Sequence, residues 1–201
     1  MIIGVILAAG ASSRMGQAKA LLPVRGTTFL GRICQSMADV GVNDLVVVTA
    51  KGLPPVDAAL AEAGAAARLV ENPRPVDGQL SSLQIGLAVA DRPGVEAVLV
   101  TLVDVPLVQA DTMRAIVDAF RTTRAPIVRP VARDGRHGHP VLFARAVFED
   151  IRRADMAMGA KAVLRAHASE IANVPTDDEG AFADIDTPED YARLIGSASG
   201  T

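Results

Sequence analysis

The stretch Ile3-Gly4-Val5-Ile6-Leu7-Ala8-Ala9-Gly10-Ala11-Ser12-Ser13-Arg14-Met15-Gly16-Gln17-Ala18-Lys19 decides the fold class. Ile3, Val5, Ile6 and Leu7 form an apolar run of strand length, as expected for a strand covered on both faces. The chain then enters a loop, Ala8 to Gly16, with almost no bulk apart from Arg14 and Met15. Glycine permits positive φ and lets backbone N–H groups approach an anion closely. Arg14 supplies a planar fork for phosphate oxygens, and Lys19 a mobile point charge. A buried strand feeding such a loop predicts a phosphate-bearing ligand at the end of a parallel sheet. Two commoner nucleotide motifs are excluded. Gly10 and Gly16 do not have the Gly-x-Gly-x-x-Gly spacing of dinucleotide dehydrogenases, so a plain dehydrogenase is not expected. Lys19 stands between Ala18 and Ala20 with Pro23 soon after, so the Gly-Lys-Ser/Thr of a P-loop is absent.

Outward from this stretch, apolar strands alternate with helical patterns, the signature of an α/β sheet with helices on its faces. Helices are expected over Thr27–Val40, Val56–Ala63, Ser82–Ala90, from an Asp111 cap through Phe120, and over Ala146–Arg153, Ala160–Ala168 and Pro188–Ile195. Strands are expected over Asp44–Thr49, Ala67–Val70, Ala97–Val103, Ile127–Val131, Val141–Phe143 and Ile171–Val174. Residues 1–196 read as one domain and 197–201 as a flexible tail. The 201 residues suit one domain. Half of them are hydrophobic but only 3% aromatic, so the core must come from Ala, Val, Leu and Ile. A net charge of −3 gives no electrostatic reason to expect a nucleic acid polymer. Cys34 is the only cysteine, so no internal disulfide forms, which fits a cytoplasmic location. No apolar run is long enough for a membrane span, and the N-terminal one reads as a core strand rather than a signal peptide.

In open α/β sheets ligands bind beyond the carboxyl ends of the strands, and three further features fall there. Asn72-Pro-Arg-Pro-Val-Asp-Gly-Gln-Leu-Ser-Ser-Leu83 leads from a strand into a helix. Ser81 or Ser82 can cap that helix, and Gly78, Gln79 and Ser81 suit hydrogen bonds to a nucleotide base and sugar. In Leu102-Val-Asp-Val-Pro106, an acid directly after a buried strand has no hydrophobic reason to be there. Asp104 needs donors or a cation, and a Mg²⁺ ligand fits. Asp184-Ile-Asp-Thr-Pro-Glu-Asp190 opens a helix, for which Thr187, Glu189 and Asp190 suffice; Asp184 and Asp186 are surplus to capping. His137 and His139 lack a third ligand of suitable type nearby and are not read as a transition-metal site. His167 is expected on a helix surface.

The string Leu-Ala-Ala-Gly-x-Ser-x-Arg-Met-Gly-x-x-x-Lys resembles the signature of nucleotidyltransferases that activate small phosphorylated molecules with an NTP, and within them the molybdenum cofactor cytidylyltransferase branch. The resemblance runs from Ile3 to about Ile195. It implies a Rossmann-like three-layer sandwich with a mostly parallel mixed sheet, as in nucleotide-diphospho-sugar transferases. It implies transfer of CMP from CTP to the phosphate of molybdopterin, with release of pyrophosphate. Leu7, Ala8, Ala9, Gly10, Ser12, Ser13, Arg14 and Lys19 would then bind the nucleotide. Asp104 and Asp186 would hold Mg²⁺, with Asp184 as support. Pro106, Gly138, His139 and Pro140 would line the acceptor pocket; Lys161 could contact the acceptor phosphate, but a solvated surface lysine is the favoured reading. Arg14, Lys19, Asp104 and Asp186 are the expected catalytic set. Ala9 stands where the guanylyl branch usually has glycine, which favours CTP. Val103 departs from the family's glycine and narrows the space beside the metal. GTP or another NTP, another small phosphorylated acceptor, and an inactive nucleotide-binding chaperone or regulator are the alternatives. Hand-over of the product implies transient contact with a molybdoenzyme or its chaperone.

Overall fold

The structure is a computed structural model and describes residues 1–10, 15 and 17–196. The first strand, β1, is Ile2–Leu7. Its run splits by the two-residue period of a strand: Ile6 joins one apolar cluster, while Ile3, Val5 and Leu7 join a second. The two clusters lie on opposite faces of one sheet, so the apolar run expresses a strand buried on both sides.

A small antiparallel hairpin follows, β2 (Pro23–Val24) with β3 (Thr27–Thr28). The next helix, α1, is Phe29–Ala38. It begins two residues later than the sequence pattern suggests because Thr28 stays extended and its side chain accepts the Gly31 N–H. Then come β4 (Leu45–Ala50), α2 (Asp57–Glu62), β5 (Ala67–Asn72), α3 (Gln79–Ala90), β6 (Ala97–Leu102) and α4 (Ala110–Thr123). The remainder is β7 (Ile127–Val131), β8 (Val141–Ala144), α5 (Phe148–Arg153), α6 (Lys161–Ala166), β9 (Ile171–Pro175) and α7 (Pro188–Leu194).

Among the described residues, seven strands form one sheet in the order β5-β4-β1-β6-β8-β7-β9. The pairs β1–β4, β1–β6, β4–β5 and β7–β9 are parallel; β8 runs antiparallel to both its neighbours. Helices α1 and α4 cover one face through Phe29, Ile33, Met37, Met113, Ile116 and Phe120. Helices α3 and α5 cover the other through Leu80, Leu83, Leu87, Phe148 and Ile151. The result is the expected three-layer α/β/α sandwich with a mostly parallel mixed sheet.

The last helix returns to the beginning of the chain. Tyr191 of α7 stacks on Phe29 with ring centroids 6.0 Å apart, and its hydroxyl donates to the Pro23 carbonyl. Asp190 and Thr187 form a reciprocal capping box at its start.

Two capping expectations are corrected. Asp111 lies inside the first turn of α4 and is not its cap. Gln109 holds that position without a side-chain bond, and the buried carboxylate of Asp178 braces it from outside, accepting from the Gln109 N–H at 2.8 Å and the Thr112 hydroxyl at 2.8 Å. Helix α3 starts at Gln79 after Gly78, so Ser81 and Ser82 lie inside it and cap nothing.

His167, at the end of α6, bonds Asp150 and Glu170. The hydrogen bond to Asp150, then that to Glu170, hold its imidazole above the ordinary histidine value. A raised value stabilises the fold below the unfolded-state value of 6.5, and the contribution fades as pH rises through the folded-state value. The melting-temperature loss in His167→Gln should therefore be larger near about pH 5.5 than near about pH 9. Equal losses at both would show that the imidazolium contributes nothing.

Candidate active site

The carboxyl ends of β1 and β6 lie side by side, joined beyond the strands by the Val103 N–H to the Leu7 carbonyl at 3.1 Å. Gly10 continues from the first end and Asp104 from the second. Ser12, Ser13, Arg14 and Gly16 lie outside the described residues. A 3-10 turn, Lys19–Leu21, follows the loop and buries Ala20, which fixes the backbone of Lys19 against the core.

The third arm comes from near the other end of the chain. The Ile185 N–H donates to the Asp104 carbonyl at 2.9 Å, and Ile185 is fully buried. This register turns the side chains on either side of Ile185 toward the site. Lys19 Nζ donates to Asp104 Oδ2 at 3.1 Å and to Asp186 Oδ1 in a short contact. The two acids singled out by sequence thus converge on one point, and a lysine occupies it.

Burial pulls the Lys19 ammonium down most strongly, but the bonds and charges of Asp186 and Asp104 together outweigh it and hold it above the ordinary lysine value. Asp184 is raised by burial and then by the charges of Asp104 and Asp186, with Lys19 opposing.

Asp104 Oδ1 is buried and has no hydrogen-bond partner among the described residues. An orphaned carboxylate oxygen beside a second acid is a donor set for a hard cation such as Mg²⁺, which keeps several waters and prefers oxygen. Among the described residues no group of three or more His, Cys, Asp or Glu side chains is arranged to hold a metal, so water and substrate oxygens would complete the shell.

Beside this point lies a cleft of about 450 Å³. Leu83, Val100, Leu102 and Phe143 form its apolar floor, and Arg129, Lys161 and Arg165 bring positive charge to its walls. Gly138 and His139 line it, as do Leu7 and Gln79. Pro106 and Pro140 are buried and do not line it. Burial pulls the His139 imidazole below its ordinary value against the charge of Asp104 and a bond to the Val100 backbone, which favours the neutral form.

Gly138 has a packing reason to be glycine. A Cβ there would lie 2.1 Å from the Ala181 carbonyl oxygen and 2.7 Å from Phe182 Cδ1. The same carbonyl accepts the His139 N–H at 2.8 Å, tying the cleft wall to the segment that carries Asp186. Gly138→Ala should lower stability by about 1–3 kcal/mol, read as a shift in the urea midpoint, because the backbone must move. An unchanged midpoint would mean that this contact is loose.

Gly78 (φ 87°) and Gln79 stand exposed where α3 begins. Ser81 is buried behind them. Its hydroxyl donates to the Gly78 carbonyl at 2.8 Å and accepts from Asn72 Nδ2 at 2.8 Å, so it braces the turn from within. Asn72, buried at the end of β5, also donates to Ser82 and accepts the Arg74 N–H. Sequence reading quoted Asn72 without giving it a role; a polar residue closing a strand before proline was the available signal.

The methyls of Ala8 and Ala9 are both buried, one in each core cluster. Val103 is buried too, above a void of only about 10 Å³ that it shares with Ala8 and Lys19, and it does not reach the cleft. Val103 therefore fills space beside Ala8 and Lys19 rather than in the cleft.

Residues 4–171 match the family model of the MobA-like NTP transferase domain. A molybdenum cofactor guanylyltransferase of Cereibacter sphaeroides is 32% identical, over 96% of this chain and 94% of the relative. A nicotine blue oxidoreductase of Paenarthrobacter nicotinovorans is 29% identical over 96% of both chains. The crystal structure of Rv0371c of Mycobacterium tuberculosis, complexed with manganese, superposes with a TM-score of 0.74 at 32% identity over 98% of each chain. The segment that delivers Asp186 lies past the span matched by the family model but within the reach of that structural match. The chain belongs to the MobA-like NTP transferase family.

Proposed function

We propose that this protein transfers CMP from CTP to the phosphate of molybdopterin, giving a cytosine dinucleotide cofactor and pyrophosphate. The observation that carries the reading is the meeting of Asp104 and Asp186 with Lys19 just past the end of β6, the strand whose Val100 and Leu102 line an apolar cleft that also carries Arg129, Lys161 and Arg165. In the reaction an oxygen of the acceptor phosphate forms a bond to the α-phosphorus, and the bond from that phosphorus to the bridging oxygen of the leaving pyrophosphate breaks. An ionised phosphate is already a nucleophile, so the chain needs no general base. Positioning and charge compensation remain as its tasks.

Lys19 offsets negative charge on the triphosphate. Gly78 and Gln79 are exposed at the helix start for the base and sugar, with Ser81 holding their turn. The apolar floor of the cleft suits a flat heterocycle, and Arg129, Lys161 and Arg165 suit its phosphate. Asp104 and Asp186 would hold Mg²⁺. When bound, that ion neutralises developing charge on the phosphate oxygens. CTP is proposed from the Leu7-Ala8-Ala9-Gly10 string. A cytoplasmic site of action belongs to the same reading; among the described residues no helix is long and apolar enough to cross a membrane.

The test is incubation with molybdopterin, Mg²⁺ and each NTP separately, with products identified by mass. A cytosine dinucleotide with pyrophosphate is expected. A guanine product would move the chain to the guanylyl branch, as the Cereibacter relative is named. Redox turnover of a heteroaromatic without pyrophosphate would favour the activity named for the Paenarthrobacter relative. Nucleotide binding without any turnover would favour a chaperone or regulator.

A further inference from the structure

Lys19 does something at this site that charge compensation of a substrate does not require. Its ammonium bonds both acids at once, and its side chain is only 11% exposed. The backbone beneath it is pinned by the turn that buries Ala20. The two carboxylates it bonds are the ones a divalent ion would need. An ammonium within hydrogen-bonding distance of two carboxylates and an ion coordinated by the same carboxylates would be two cations nearly in contact, in a partly desolvated place where their repulsion is weakly screened.

We propose that Lys19 is the resident counter-ion of the Asp104–Asp186 pair, that a divalent ion must displace it to load, and that an anionic substrate accepts the displaced ammonium. The inference rests on the reading that these acids hold the ion. It adds that metal and polyphosphate favour one another through a single side chain. Giving up two charge-assisted hydrogen bonds weakens metal binding to the empty protein. A phosphate that receives the ammonium restores what was lost. Such coupling is reciprocal, so the ion strengthens polyphosphate binding by the same factor. Asp104 Oδ1, buried and without a partner among the described residues, offers an incoming ion its first oxygen before the lysine moves.

The test needs no turnover. Mn²⁺ binding to the nucleotide-free full chain is measured from the electron paramagnetic resonance signal of the unbound ion. Lys19→Met keeps the length of the side chain and removes its charge; Lys19→Gln is a second, polar replacement; Lys19→Arg keeps the charge. Met and Gln variants should bind Mn²⁺ at least ~10-fold more tightly than the parent, and the Arg variant should show no such gain. Added Mn²⁺ should also raise the melting temperature of the Met and Gln variants more than that of the parent. Combining Lys19→Met with Asp104→Asn and Asp186→Asn should abolish both effects. Mn²⁺ affinity unchanged or weakened in both the Met and Gln variants, with the acids still required, would overturn the counter-ion role and leave the metal reading standing. Mn²⁺ binding indifferent to the two acids would overturn both.

Discussion

Asp104→Ala should lower nucleotidyl transfer by ~10²–10³-fold while the protein keeps a cooperative melt. The chemistry asks the chain to hold charge in place, and removing one preorganised group at the point of charge development typically has that effect. The fold should survive because Asp104 sits just past the end of β6 and, among the described residues, makes its one side-chain hydrogen bond to Lys19. Its backbone carbonyl, which receives Ile185, is unaffected by the substitution. Lys19 retains Asp186. The result should appear in turnover at saturating NTP, with the near-parental circular dichroism spectrum as control. Near-normal turnover would remove Asp104 from the mechanism.

The second large effect is on stability. Asp178 is 7% exposed and accepts from the Gln109 N–H, the Thr112 hydroxyl and the Gly180 N–H. It braces the start of α4 from a segment far along the chain and caps the short turn at Glu179–Ala181. Asp178→Ala should lower stability by about 3 kcal/mol, because it strands the donors of Gln109, Thr112 and Gly180 at once. Asp178→Asn, which keeps one acceptor oxygen, should fall between the two. Urea unfolding with the slope held common to all three proteins reads this directly. A loss below about 0.5 kcal/mol would mean that water replaces the carboxylate without penalty. The Ala variant should also lose activity, since the same segment leads on to Asp186.

The strands were largely legible in the sequence. The runs at Ile3–Leu7, Asp44–Thr49 and Ala97–Val103 became β1, β4 and β6 within a residue or two, because strands buried on both faces leave an unbroken apolar record. Their ends also located the site. Strand order was not legible; nothing local to Val141–Ala144 shows that β8 enters antiparallel between two strands that otherwise point the same way. The hairpin at Pro23–Thr28 was missed because two-residue strands carry no periodicity. Asp178 was invisible for a different reason: a carboxylate in a polar loop looks solvated until the fold sets it against the open end of α4. The convergence of Asp104 and Asp186 was foreseen from family resemblance, but the lysine between them was assigned to phosphate alone. Spacing along a chain cannot show which of several possible anions a cation meets first.

The docking of α7 onto the first hairpin has a practical side. The chain has no tryptophan and a single tyrosine, Tyr191, whose ring rests on Phe29 and whose hydroxyl is held by Pro23. Ultraviolet emission excited above the phenylalanine absorption band is therefore the report of one residue at one seam. As that seam also brings α7 back to the first hairpin, any loss of closure, by heat, urea or proteolysis, writes itself into a single optical channel with no tryptophan to obscure it.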